Sequence, residues 1–256
     1  MLSIKNNFLE TIRGGKPDRF VKQYEFMDII LEAPMDKMCN PGETIVNDWG
    51  VTTRWPLGQI GGFPVHDAEH IVIKDITEWK NELKIPTAIY GDEAWAPAVA
   101  RAEEIRKKGE KFVTAFVAPG IFEMTHHLMS MDEALIAYYE EPECMHEMID
   151  AIVDREIAYA GEVIKYLHPE CIFHHDDWGG QKSTFMSPEM FDEFLLPGYK
   201  KIYKFYKDHG VELIIHHSDS YAATLVPRMI EMGIDVWQGC MTTNNVPELI
   251  AKYGGQ

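Results

Sequence analysis

From residue 112 onward the chain alternates β-prone runs with helical ones, and no hairpin signal stands between them. Phe112 to Val117 is almost continuously apolar, as expected of a strand covered on both faces. Ile172 to His175, Val211 to His216 and Ile234 to Gln238 repeat the pattern. The segments between them carry apolar residues at three- and four-residue steps. The longest opens at Pro142, repeats Met145, Met148, Ile149, Ile152, Ile157, Val163, Ile164 and Leu167 at those steps, and stops before Pro169. Ser130-Met131-Asp132-Glu133 is a capping box, and Ser187-Pro188 is an N-cap with proline at the first helical position. The helix from Pro188 to Asp208 should kink or break at Pro197. Strands separated by helices call for parallel pairing through crossovers, so the order predicts an α/β fold with a parallel sheet.

The first half is less regular. Ile4 to Arg13 reads as a helix, stopped by Gly14-Gly15 and expected on the outside of the domain. Phe20 to Met27 reads as a strand. Residues from about 34 to 90 are rich in Gly, Pro and Trp and read as a covering segment with short strands, lid-like over one end of the core. Glu93 to Lys108 is a helix with Ala94, Ala98, Ala102 and Ile105 on one face and Gly109 closing it. The fold class expected is a (β/α)8 TIM-type barrel in one domain over residues 1–256. About six strands can be found, where a closed barrel needs eight. The barrel is therefore expected to be incomplete at the C-terminus, with the last two strands absent from this chain. Its open end would need cover, which leaves room for a homo-oligomer.

Charge and composition exclude several functions. A formal charge of -17 opposes binding to nucleic acid or an anionic membrane. No apolar run approaches the ~20 residues of a membrane span. The four cysteines, Cys39, Cys144, Cys171 and Cys240, form no CxxC pair, which fits reduced thiols and a cytoplasmic location. No phosphate-binding glycine loop and no GxSxG elbow occur, so nucleotide-driven chemistry and serine hydrolysis are poor readings.

Titratable residues gather where the strands end, at the mouth where parallel barrels keep their chemistry. Side chains alternate along a strand. If Ile172, His174 and Asp176 face inward, the mouth collects His174, Asp176, His216, Ser218, Gln238 and Cys240. Such a set suits Zn²⁺ with an open fourth position, although no tight ligand motif is present. Asp176 and Asp177 are adjacent and point to different faces, so one serves the cavity and the other caps a loop or orients an imidazole. His126 and His127 lie near the same mouth and could hold an anionic group, though a packed histidine is the commoner state. Tyr24, Trp49 and Trp178 are candidate pocket walls, against the plainer reading that aromatic residues simply pack.

These segments resemble, in order, the uroporphyrinogen decarboxylase superfamily, which includes corrinoid-linked methyltransferases. The likeness rests on Gly14-Gly15-Lys16-Pro17-Asp18-Arg19, Asp48-Trp49-Gly50-Val51 and Ala118-Pro119-Gly120-Ile121-Phe122-Glu123. It continues through Asp176-Asp177-Trp178-Gly179-Gly180-Gln181, Ser187-Pro188-Glu189-Met190-Phe191, Pro197-Gly198-Tyr199-Lys200-Lys201-Ile202 and His216-His217-Ser218-Asp219. The resemblance implies a β/α barrel. True uroporphyrinogen decarboxylases carry an arginine-rich segment after the first strand. Here that place reads Gln23-Tyr24-Glu25-Phe26-Met27-Asp28, the wrong charge for an octa-acidic tetrapyrrole. The methyltransferase branch binds zinc through a His-x-Cys pair and a later cysteine, and exchanges methyl groups with a corrinoid on a partner protein. The corresponding pair is read as His216-His217-Ser218, which keeps the histidine and replaces the thiolate by serine.

The expected function is a one-carbon transferase that moves a methyl group between a small methoxy, methylamine or thiol substrate and a corrinoid protein. On this reading Asp177, His216 and His174 are the expected catalytic residues, His216 as metal ligand or acid/base and the other two as its partners at the mouth. Trp178, Gln181, Tyr24, Trp49 and His126 are the expected substrate contacts, and His216 with Cys240 the expected zinc ligands. The alternatives are a uroporphyrinogen decarboxylase-type lyase and a non-catalytic truncated barrel that acts as a binding partner.

Overall fold

The computed structural model describes residues 1–35 and 38–254. Its first part runs α1 (Ile4–Ile12), β1 (Met27–Ile30), β2 (Thr44–Val46), β3 (Thr52–Arg54), β4 (Phe63–Pro64), α2 (Trp79–Glu82) and α3 (Asp92–Lys108). Then come β5 (Phe112–Val117), α4 (Ile121–Leu128), α5 (Met131–Glu140), α6 (Pro142–Leu167) and β6 (Cys171–His175). The chain continues with α7 (Pro188–Met190), a wide π-turn over Phe191–Leu195, α8 (Leu196–Asp208), β7 (Leu213–His217), α9 (Val226–Met232), β8 (Val236–Gln238) and α10 (Val246–Tyr253).

Five strands form a parallel sheet in the order β1-β5-β6-β7-β8. The order never reverses. Ala98 and Ile105 of α3, Ile152 and Val153 of α6, Tyr199 and Ile202 of α8 and Met229 of α9 share one buried cluster with Ile30, Val113, Ile172 and Ile214 of the strands. All the crossovers therefore cover one face, as in a barrel wall, whereas a doubly wound sheet has helices on both. The fold is α/β and TIM-type, and the barrel is incomplete. Among the described residues it has five wall strands, one fewer than the sequence pattern suggested.

The opposite face belongs to the barrel interior, where Met27, Phe112, Cys171, Phe173, Leu213 and Ile215 form a second buried cluster with Phe8 and Phe26. Phe8 of α1 stacks on Phe26 with ring centroids 3.6 Å apart. Lys5 bridges to Glu170, just before β6, at 2.6 Å. The N-terminal helix thus closes the lower end of the interior, a correction to its expected place outside the domain. Amphipathic spacing shows that a helix has a buried face but not which core receives it. Phe20 to Glu25 also departs from the expected strand. Arg19 grips both carboxylate oxygens of Glu25, at 2.6 and 3.0 Å, while the Lys22 amide donates to the same group. That local turn delays the extended run until Met27.

The covering segment contains the expected short strands, as an antiparallel sheet ordered β2-β3-β4. Trp49, Val51, Ile73, Ile76 and Trp79 sink into the cluster that contains α6, and the amides of Val72 and Ile73 donate to the Leu128 carbonyl at the end of α4. At α3 the buried face is Trp95, Ala98, Ala102 and Ile105, so Trp95 takes the place expected for Ala94. Pro197 has no N–H and crowds the preceding turn, and the backbone answers by widening over Phe191–Leu195 instead of breaking. One residue later, a Cβ on Gly198 would lie 2.8 Å from both Ile121 and Val153 side chains. The missing side chain is what lets α8 approach α4 and α6.

Candidate active site

The strand faces set the site: on β6 and β7 they are the reverse of the expected ones, while β8 turns Val236 and Gln238 inward as expected. Cys171 and Phe173 of β6, with Leu213 and Ile215 of β7, face the interior, so His175 and His217 follow them into the mouth. His174 and His216 face the helices and are fully buried. His174 Nε2 lies 2.7 Å from Glu156 Oε1 on α6. His216 Nε2 lies 3.1 Å from the Asp176 carbonyl, which can only accept, so this nitrogen carries the proton. Its Nδ1 then accepts from the Tyr203 hydroxyl at 2.9 Å. Both nitrogens are engaged, and burial holds the imidazole well below its ordinary pKa. As placed, His216 has no lone pair free for a metal. Trp178 is buried as well, stacked on His216 at 3.9 Å. The expected mouth positions of His174, His216 and Trp178 are therefore corrected to a layer between sheet and helices. A strand buried on both faces shows no apolar alternation, so its sequence does not declare which face turns inward.

The mouth holds Glu123, His175 and Asp177, each offering a ligand atom, with these atoms all within 4.8 Å of one another. His175 is the last residue of β6, Asp177 lies two beyond it, and Glu123 is the third residue of α4. His175 Nε2 is 3.2 Å from Glu123 Oε1. Asp177 Oδ1 accepts from the Asp219 amide at 2.9 Å, which ties it to the end of β7. Beside them the His217 ring stacks on His175 at 4.8 Å. Gln238 Nε2 donates to the Tyr24 hydroxyl at 3.1 Å, which leaves Gln238 Oε1 to accept from His217 Nδ1 in a short hydrogen bond. His217 Nε2 is therefore the nitrogen with the lone pair.

Burial by itself would lower the His175 imidazole, but the hydrogen bond and charge of Glu123 outweigh it and raise the group to about 9. Glu123 is held below the usual carboxylate range, because its pairing with His175 overcomes the cost of burial. Asp177 is pushed up to about 6, first by burial and then by the Glu123 charge. A raised imidazole pKa gives stability that is complete below the unfolded value of 6.5 and is lost as pH rises through about 9. Denaturant unfolding should show wild type more stable than Glu123→Gln at pH 6 by at most about 3 kcal/mol, with the gap closing toward alkaline pH. A gap that stays constant across that range would exclude the ion pair.

The other expected residues are scattered. Tyr24 is half exposed and reaches the mouth through Gln238. Gln181 is exposed on the loop after β6. Trp49 is buried beside the Arg155 guanidinium, 5.4 Å from its ring, and lines a cavity of about 20 Å³ with Val117, Met124 and Tyr159. His126 packs against Phe122 and His127 on α4, and burial, aided by His127, takes it down to about 3. It is neutral at physiological pH and would offer an anion no charge. Cys240 is half buried beyond β8, where burial raises its thiol, and it lies outside the cluster of ligand atoms. Of the residues expected to act, Asp177 and Tyr24 are brought to the mouth. Glu123, His175, His217 and Gln238 complete it. Glu123 stands three residues after the Pro119-Gly120 turn that ends a strand, a position that could have marked it.

A parallel barrel wall with ionisable side chains at the C-terminal ends of its strands is the architecture of TIM-type enzymes. The family model for uroporphyrinogen decarboxylase (URO-D) matches residues 49–246, and the chain belongs to that family. A search among curated proteins found no match. Among solved structures the fold is similar to a methyltransferase from Methanosarcina mazei, with TM-score 0.61 and 14% identity, over 93% of this chain and 76% of that one. At such identity the likeness is one of fold. No described helix is long and apolar enough to cross a membrane.

Proposed function

We propose that this chain is a methyltransferase of the uroporphyrinogen decarboxylase family. It moves a methyl group between a small methylated substrate, of the methoxy, methylamine or thiol type, and a corrinoid carried by a partner protein. The observation that carries this reading is the convergence of Glu123, His175 and Asp177 at the barrel mouth. One imidazole nitrogen and two carboxylate oxygens are ligands that zinc accepts, and two negative charges offset those of a divalent ion. The site that resemblance implied, His216 with Cys240, does not fit, because both nitrogens of His216 are already hydrogen-bonded.

When bound, the metal would act as a Lewis acid that lowers the pKa of a thiol or polarises the heteroatom bearing the methyl group. The chain's own residues do the rest. Glu123 and Asp177 are held from two different elements, so the substrate meets a fixed pair of carboxylates. His217 stays neutral, lowered by burial, with Nε2 able to take the proton that a thiol or amine acceptor gives up. A decarboxylase acting on an octa-acidic tetrapyrrole is disfavoured by Glu123 and Asp177 in the mouth. Glu25 and Asp28 bear on this less than their positions suggested. Asp28 pairs with Arg101 on the helix side at 2.7 Å, and Glu25 pairs with Arg19.

The test is to incubate the zinc-loaded chain with methylcobalamin and a thiol or amine acceptor and follow the corrinoid spectrum. Demethylation that needs the chain and stops with Asp177→Asn is expected. Stepwise decarboxylation of uroporphyrinogen without any demethylation would replace this reading by the lyase.

A further inference from the structure

Asp176 is fully buried, yet its carboxylate accepts from four donors: the amides of Phe122 and Glu123 at 2.9 and 2.8 Å, Trp178 Nε1 at 3.2 Å, and the Tyr199 hydroxyl. The first two belong to the opening turn of α4, whose amides have no partner within the helix. Gly120 stands at the N-cap and has no side chain to offer. The cap comes instead from the neighbouring strand, and the helix dipole favours a carboxylate there. The approach is close: a Cβ on Gly120 would sit 2.5 Å from Asp176 Cβ.

We infer that Asp176, backed by Tyr199 and Trp178, is the positioning residue of the barrel-mouth metal site. All three ligands depend on it. His175 and Asp177 are its immediate chain neighbours, and Glu123 is joined to it through its own amide. The Asp176 backbone is in turn held at both polar atoms, its amide donating to the His217 carbonyl at 3.1 Å and its carbonyl accepting from His216 Nε2. His216 and Trp178 therefore serve the site from behind, by holding Asp176. This inference rests on Glu123, His175 and Asp177 being metal ligands and is independent of the methyl-transfer chemistry.

The experiment measures the Zn²⁺ dissociation constant of the full chain by competition with a chelator, for wild type, Asp176→Asn, Tyr199→Phe and Glu123→Gln. Each protein is checked for folding by circular dichroism at the same temperature. Residues that orient metal ligands typically contribute 10–100-fold in affinity, so Asp176→Asn should bind about 10–100 times more weakly while still folded, and Tyr199→Phe a few-fold more weakly. A merely structural role would lower the melting temperature and leave the dissociation constant of the folded protein unchanged. Unchanged affinity in a folded Asp176→Asn overturns the inference. If that variant does not fold, unchanged affinity in Tyr199→Phe overturns it. A wild type that binds no Zn²⁺ removes both the ligands and their positioning residue. Zinc binding with this ranking but no methyl transfer would leave the inference standing and sink only the methyltransferase reading.

Discussion

Glu123→Gln and Asp177→Asn are each expected to strip the chain of its metal. Elemental analysis of wild type, purified without an affinity tag, should give about one divalent ion per chain, since one cluster of three donors can hold one ion. Either amide keeps the shape of its parent and removes a negative charge, so the ion would face two good ligands and a neutral oxygen. Losing a residue that merely orients a ligand costs about 10–100-fold, so losing a ligand should exceed that. Protons compete for the same place. His175 Nε2 faces Glu123 Oε1 at 3.2 Å and holds its proton up to about pH 9, so binding the ion must release that proton. Affinity should therefore fall as pH falls. Cys240→Ser should keep the metal. Full retention in both Glu123→Gln and Asp177→Asn would dismiss the cluster, and loss on Cys240→Ser would bring back a thiolate site.

What the amino-acid pattern reveals here is order, and what it hides is facing. The helices were legible because their signals are local. Ser187 does cap with an oxygen that accepts from the Met190 amide at 3.2 Å, Ser130 does the same for Glu133 at 3.3 Å, and Gly109 closes α3 with φ at 68°. Parallel pairing followed from the alternation alone. The barrel mouth followed as well, because strand ends and helix starts could be placed to within a few residues. The inward face did not. Ile172 and Phe173 are both apolar and both buried, and so are Ile214 and Ile215. A shift of one residue exchanges His174 for His175 and His216 for His217, and only packing decides it. Tyr199, Tyr203 and Tyr206 on α8 settle the matter in space, since they cover the face that carries His174 and His216. Glu123 became a partner of His175 only through the close approach of α4 to β6. The two lie 52 residues apart, and no local pattern records that distance.

His174→Ala should be among the most destabilising single changes in this chain and should spare the mouth. His174 is completely buried, and Glu156 on α6 is nearly so, with Nε2 and Oε1 at 2.7 Å. Removing the imidazole leaves the Glu156 carboxyl in a space walled by the rings of Tyr199 and Tyr203, which met the lost ring edge-on at 5.9 and 5.3 Å. Breaking a buried pair in this way costs about 3–5 kcal/mol, a large share of the roughly 5–15 kcal/mol that keeps a domain folded. Thermal unfolding should shift down by about 10 °C or more. Replacing both partners together, as His174→Leu with Glu156→Met, should recover most of the loss, because neither group is then left unpaired. The same cycle separates support from catalysis. At a temperature where His174→Ala remains folded, its zinc affinity should match wild type, since His175 lies on the other face of β6 and Glu123 and Asp177 lie outside that strand. A single mutant with normal unfolding and no methyl transfer would instead return His174 to the catalytic role expected of it at the mouth.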